Sequence, residues 1–123
     1  MAKIILADPA AEPEQFRTAL EWLTEAAEAG QVHAQYELGK IYRDGRSVEK
    51  DALLAAAWLT RAAEQDSDAA AYALGVLLLT GGEGLAKDVS ATVSWLRRSA
   101  EGGNQYAQYR LGRLLLQGEE VPR

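Results

Sequence analysis

The chain has 123 residues, 48% of them hydrophobic and 25% charged, with 18 acidic against 13 basic side chains and a formal net charge of −5. That is one domain's worth of chain with enough apolar residues for a core, and the acidic balance argues against nucleic acid, for which a basic stripe is expected. The absence of cysteine excludes a disulfide framework and a thiol nucleophile, and a lone histidine, His33, gives no basis for a His-based metal centre or a Ser-His-Asp triad.

Residues 1–12 open the chain as an N-terminal extension or cap. Met1-Ala2-Lys3 leads into only Ile4-Ile5-Leu6-Ala7 before Asp8, too short for a signal-peptide core, so the chain as it stands is expected to be soluble and cytoplasmic. The spacing then predicts a helix from about Pro13 to Ala29, with proline where a missing amide hydrogen costs nothing and Gly30 closing the end in a left-handed turn. A second helix follows over 32–44, ended by Gly45. The pair returns with Asp51 as N-cap, a helix to about Gln65, Asp66 in the glycine's place, and a helix over 68–80 ended by Gly81. After a linker lengthened by Gly82-Glu83-Gly84-Leu85-Ala86, Asp88 caps a helix to Glu101, Gly102-Gly103 turns, and a last helix runs over 104–117 to Gly118. Residues 119–123 form a tail. The longest apolar run, Ala69 to Leu79, has 11 residues and is too short to span a bilayer.

These pairs are copies of one unit. Trp22, Trp58 and Trp95 stand 36 and 37 residues apart, and 9 of the 24 positions from each Trp to its closing Gly are identical in all three copies. The recurring set includes Tyr36, Tyr72 and Tyr109 and the mid-helix glycines Gly39, Gly75 and Gly112. A glycine inside a helix costs about 1 kcal/mol relative to alanine, so placing it three times at one position requires a steric reason, a neighbouring backbone or indole packed against it. The tryptophans and tyrosines, with these glycines, are expected to form the structural core of the repeat, the indoles bridging the paired helices.

The run of Lys-Asp, Ala-x-x-Trp-Leu, Ala-Ala-Glu-x-Gly and Ala-x-Tyr-x-Leu-Gly-x-x-Tyr-x-x-Gly, as in Trp22 to Gly45 with Lys50-Asp51, resembles the Sel-one-like repeat (SLR) family, helical repeats similar to tetratricopeptide repeats. The resemblance covers residues 13 to 118 and implies an all-α, right-handed superhelical solenoid of three helix-turn-helix repeats, at about 13–46, 47–83 and 84–118. It implies a non-enzymatic protein-interaction scaffold. An inhibitor or immunity-type protein that blocks a partner enzyme is the alternative. No catalytic residue, cofactor or metal ligand is assigned.

In stacked helix pairs the first helices line the concave side, so their outward arc is the expected binding face. It holds Arg17, Glu21 and Glu25, then Leu53, Ala57 and Arg61, then Ser94, Arg97 and Arg98. Charge shifts from acidic to basic along it, and Arg61, Arg97 and Arg98 are expected to receive an acidic segment of another protein through bidentate carboxylate pairing. The helix from Ala69 is apolar all round, which makes Val76 and Leu79, with Leu116 in the third copy, a candidate self-association patch and homo-oligomerisation a possibility to test. His33 and the acidic pairs Glu21/Glu25 and Glu119/Glu120 read as solvated surface groups, and Gly81-Gly82-Glu83-Gly84 as a linker, since no Lys-Ser/Thr follows to hold a phosphate. No polar cap follows Leu114-Leu115-Leu116, so either the chain is a segment of a longer array or that end docks on something.

Overall fold

A computed structural model describes residues 13–117. Within them six helices follow one another: α1 (Pro13–Glu28), α2 (Val32–Asp44), α3 (Ala52–Ala63), α4 (Asp68–Thr80), α5 (Val89–Glu101) and α6 (Gln105–Gln117). Each packs chiefly against its neighbours in sequence, the hallmark of a helical solenoid. The N-terminal extension and the tail, with Gly118 and the Glu119/Glu120 pair, lie outside the described residues.

Local chemistry sets the boundaries. Asp51 and Asp88 are extended, and their carboxylates accept the amides of Leu54 at 2.9 Å and Ala91 at 3.0 Å. Replacing either by alanine frees first-turn amides and is expected to cost about 1 kcal/mol, read by chemical denaturation. The turn inside each pair is built the same way three times, around a residue with positive φ: Gly30 (98°), Asp66 (68°) and Gly103 (99°). At Asp66 an acidic side chain tolerates the left-handed conformation that glycine adopts freely. The next residue caps the second helix, as Gln31, Ser67 and Asn104 accept from the amides of Ala34, Ala70 and Ala107. These three caps come in addition to the Asp51 and Asp88 caps expected from the sequence. In the longer linker, reciprocal 2.9 Å bonds between the backbones of Gly82 and Leu85 fold the extra residue into a tight turn.

The largest core cluster belongs to α3 and α4, where Ala55, Leu59, Ala62, Ala63, Ala70 and Leu74 are at most 1% exposed. Alanine on both helices lets them approach closely. Contact between repeats is equally intimate. A Cβ placed on Gly39 of α2 would lie 2.6 Å from Cγ and Cδ2 of Leu59 on α3, and one on Gly75 of α4 would lie 3.1 Å from the same atoms of Leu96 on α5. The mid-helix glycine is thus a notch for the leucine that follows the next repeat's tryptophan; a leucine side chain, rather than an indole, fills it. Polar side chains lock the same seams. Gln65 donates to the Gln35 side-chain oxygen at 2.9 Å, Thr92 to the Gly75 carbonyl at 3.0 Å, and Ser99 to the Asp68 carbonyl at 2.7 Å.

Three expected core residues are exposed, while Trp95, Tyr36 and Tyr72 are half-buried. Trp22 is 62% exposed, Tyr109 is 68% exposed, and a Cβ on Gly112 would meet nothing within 4 Å. The reason is directional. Trp58 packs on Ala27, Ala34 and Leu38 of the repeat before it, and Trp95 on the cluster of α3 and α4. Tyr36 and Tyr72 pack forward, onto the clusters of the repeats that follow. The tryptophan therefore looks back between repeats instead of bridging its own helix pair, while the tyrosine and glycine look forward. Among the described residues, Trp22 has no repeat behind it, and Tyr109 and Gly112 have none ahead.

Candidate protein-interaction face

All nine residues of the expected binding face are exposed on α1, α3 and α5. Repeat equivalence sets them in rows. Arg17 matches Leu53, Glu21 matches Ala57 and Ser94, and Glu25 matches Arg61 and Arg98; Arg97 stands where the other copies have Thr24 and Thr60. Both threonines bond back to the carbonyl four residues earlier at 2.7 Å, so Arg97 adds a cation where its counterparts turn inward.

Two of the arginines are held in place. The Arg61 guanidinium lies 4.8 Å from the centre of the Trp58 ring, and that of Arg98 lies 5.4 Å from the Trp95 ring. Such stacking restrains a flexible side chain without using its N–H donors. Arg98 also donates from Nη2 to Asp66 Oδ1 at 3.1 Å, an ion pair between repeats that is mostly solvated and so contributes little to stability. Glu25 occupies this position in the first copy, so Trp22 has no guanidinium over it from that row. Leu53, 57% exposed, puts an apolar side chain among the charges.

The patch around α4 is divided. Val76 and Leu79 are half-buried, not fully outward, because α4 is held between α3 and α5. Val76 lines a groove of about 450 Å³ with Arg43, Asp44, Ala73 and Thr80. There the paired guanidinium of Arg43, bonded at 2.8 and 3.0 Å, holds the Asp44 carboxyl below the ordinary carboxylate range. Leu79 lines a different groove, with Tyr109, Arg110 and Leu114, and Leu116 is 87% exposed and lines neither. His33 is exposed at the edge of a third groove beside Trp22, Leu23 and Ala26. Among the described residues no group of three or more His, Asp or Glu is placed to hold a metal ion, and no helix is long and apolar enough to cross a membrane.

Comparison with known protein families matches the Sel1 repeat at residues 11–31, 32–67, 68–104 and 105–123. The two full units run from a second helix to the next first helix, pairing α2 with α3 and α4 with α5. Among solved structures, the chain is similar to a protective antigen of uropathogenic Escherichia coli displaying an SLR fold, with 33% identity and a TM-score of 0.78 over 83% of this chain and 22% of that one. It is also similar to a Sel1 repeat protein from Oxalobacter formigenes, with 36% identity and a TM-score of 0.75 over 80% of this chain and 29% of that one. The chain thus spans less than a third of the length of either. No curated protein sequence matches it.

Proposed function

Because the chain belongs to the Sel1 repeat family, whose members generally mediate protein–protein interaction, we propose that it is a non-enzymatic scaffold taking a segment of a partner protein along the exposed faces of α1, α3 and α5. The observation that carries this reading is the stacking of Arg61 and Arg98 on buried or half-buried tryptophans at equivalent positions of consecutive repeats. Guanidinium forks pair with carboxylates through two parallel hydrogen bonds, and restraint before binding lowers the entropy lost on binding. Asp66 already takes a donor of Arg98, the contact that a partner's carboxylate would extend. Arg97 adds positive charge, and Leu53 and Ala57 give an apolar side chain of the segment somewhere to rest. Nothing in the geometry favours an enzyme-blocking role over a scaffold.

Selection of a random peptide library on the immobilised protein tests this. Sequences rich in Asp and Glu are expected to be enriched, and Arg61→Glu/Arg98→Glu is expected to weaken the selected peptides by at least about tenfold, since each charged hydrogen bond contributes about 1.5–3 kcal/mol. Arg46→Glu, a charge reversal at an exposed position of the α2–α3 linker and not on the first-helix faces, is expected to leave binding within about twofold, because solvent-exposed charges interact weakly and are screened by salt. Selection with no acidic bias, or equal loss in both variants, contradicts the assignment.

A further inference from the structure

We propose that the partner segment is charge-segregated, with a basic stretch lying over α1 and an acidic stretch over α3 and α5. This rests on the reading of the first-helix faces as the binding surface and adds what their α1 portion takes. The exposure of that portion is a property of the repeat and not of its place in the chain. Glu21 and Glu25 stand where the middle copy has Ala57 and Arg61, which are exposed although a repeat flanks them on either side.

The charge of the face changes sign along the solenoid. Arg17, Glu21 and Glu25 leave α1 with one net negative charge, whereas Arg61 gives α3 one positive charge and Arg97 with Arg98 gives α5 two. The row Glu28, Glu64 and Glu101 is common to all three helices and does not alter the gradient. Asp66 already takes a donor of Arg98. Arg61 and Arg97 on one side, and Glu21 and Glu25 on the other, have no ion pair among the described residues. Both signs are therefore available to a ligand, on different helices.

Spacing keeps the two signs apart. Trp58 of α3 shares a cluster with Ala27 of α1, and Trp95 of α5 packs on the cluster that includes α3, so successive first helices lie side by side. Packed helices are about 10 Å apart, and an extended segment advances about 3.3 Å per residue, so a crossing segment spends about three residues on each helix. The Debye length is about 8 Å at physiological salt, so each stretch responds mainly to the helix beneath it. Leu53, 57% exposed, offers an apolar contact between the two charged stretches. The occupant this pattern fits has basic residues, then an apolar side chain, then carboxylates, each about three residues from the last.

Fluorescence anisotropy with three labelled peptides tests this. One has lysines at one end, leucine in the middle and aspartates at the other end; the second has the same composition with the charges interleaved; the third has serine in place of lysine. Identical composition matters because the net charge of −5 attracts any basic peptide whatever its order. The segregated peptide is expected to bind at least about threefold more tightly than either of the others. Glu21→Lys/Glu25→Lys, on an exposed helix face where substitution leaves the fold alone, is expected to abolish that advantage and to tighten the serine peptide. Equal affinities for the segregated and interleaved peptides overturn the proposal, as does a Glu21→Lys/Glu25→Lys variant that keeps the wild-type order of preference. If Arg61→Glu/Arg98→Glu weakens all three peptides while order makes no difference, the acidic-segment reading stands and this inference alone fails. If that variant weakens none of them, the reading beneath it fails as well.

Discussion

Leu59→Ala is expected to lower the unfolding free energy by about 3 kcal/mol, within the 2–5 kcal/mol range for buried leucines, the largest loss from any single truncation here. Leu59 is fully buried, lies in the central cluster of α3 and α4, and fills the notch over Gly39. Its removal therefore opens a cavity inside one repeat and between two. Neighbouring backbones are fixed by the Asp51 cap and by the bond from Gln65 to Gln35, so the site collapses poorly and the cost stays high. Against a total stability of about 5–15 kcal/mol, that loss shifts the midpoint of a urea or thermal transition well outside measurement error.

The second large effect is a contrast between identical substitutions. Alanine is a better helix former than glycine by about 1 kcal/mol, so at an unobstructed site Gly→Ala stabilises. Gly112 is such a site, and Gly112→Ala is expected to raise stability by up to about 1 kcal/mol. At Gly39 the new methyl group would lie 2.6 Å from Leu59 Cγ, and Leu59 has no room to retreat. Overpacking of this kind costs about 1–3 kcal/mol and outweighs the gain in propensity, so Gly39→Ala is expected to destabilise. Gly75→Ala falls between, its neighbour being 3.1 Å away. In a Leu59→Ala background the Gly39 penalty is expected to vanish, a coupling that a double-mutant cycle measures directly. If Gly39→Ala and Gly112→Ala shift stability in the same direction, the notch is not what the glycine serves.

What could be read from the sequence follows how local each cause is. Helix spans, the Asp51 and Asp88 caps and the tolerance of Asp66 for a left-handed turn depend on a few adjacent residues, and those expectations match the structure. The Gln31, Ser67 and Asn104 caps were just as local; a polar residue directly after each turn was their signal. The direction of packing was not local. Trp22, Trp58 and Trp95 look alike in sequence because their identity is set by the repeat, whereas their burial is set by whether another repeat lies behind them. The same holds for Tyr109 and Gly112 at the other end. Thr92 and Ser99, which bond across the seam between α4 and α5, replace alanines of the other copies, so a hydroxyl in a small-residue stripe was the available sign. For the binding face, spacing identified nine exposed residues. That Arg61 and Arg98 are stacked on indoles depends on how the helix turns bring each guanidinium over its ring, which spacing alone does not show.

The central claim is that a partner segment lies across the first helices, and backbone amide chemical-shift mapping of the labelled chain with a selected acidic peptide tests it most directly. The account predicts shifts concentrated in 17–25, 53–61 and 94–98, strongest around Arg61 and Arg98, with α2 and α4 little changed. Shifts concentrated on Val76 and Leu79, or at the open ends around Trp22 and Gly112, would contradict it and move the binding face elsewhere on the solenoid.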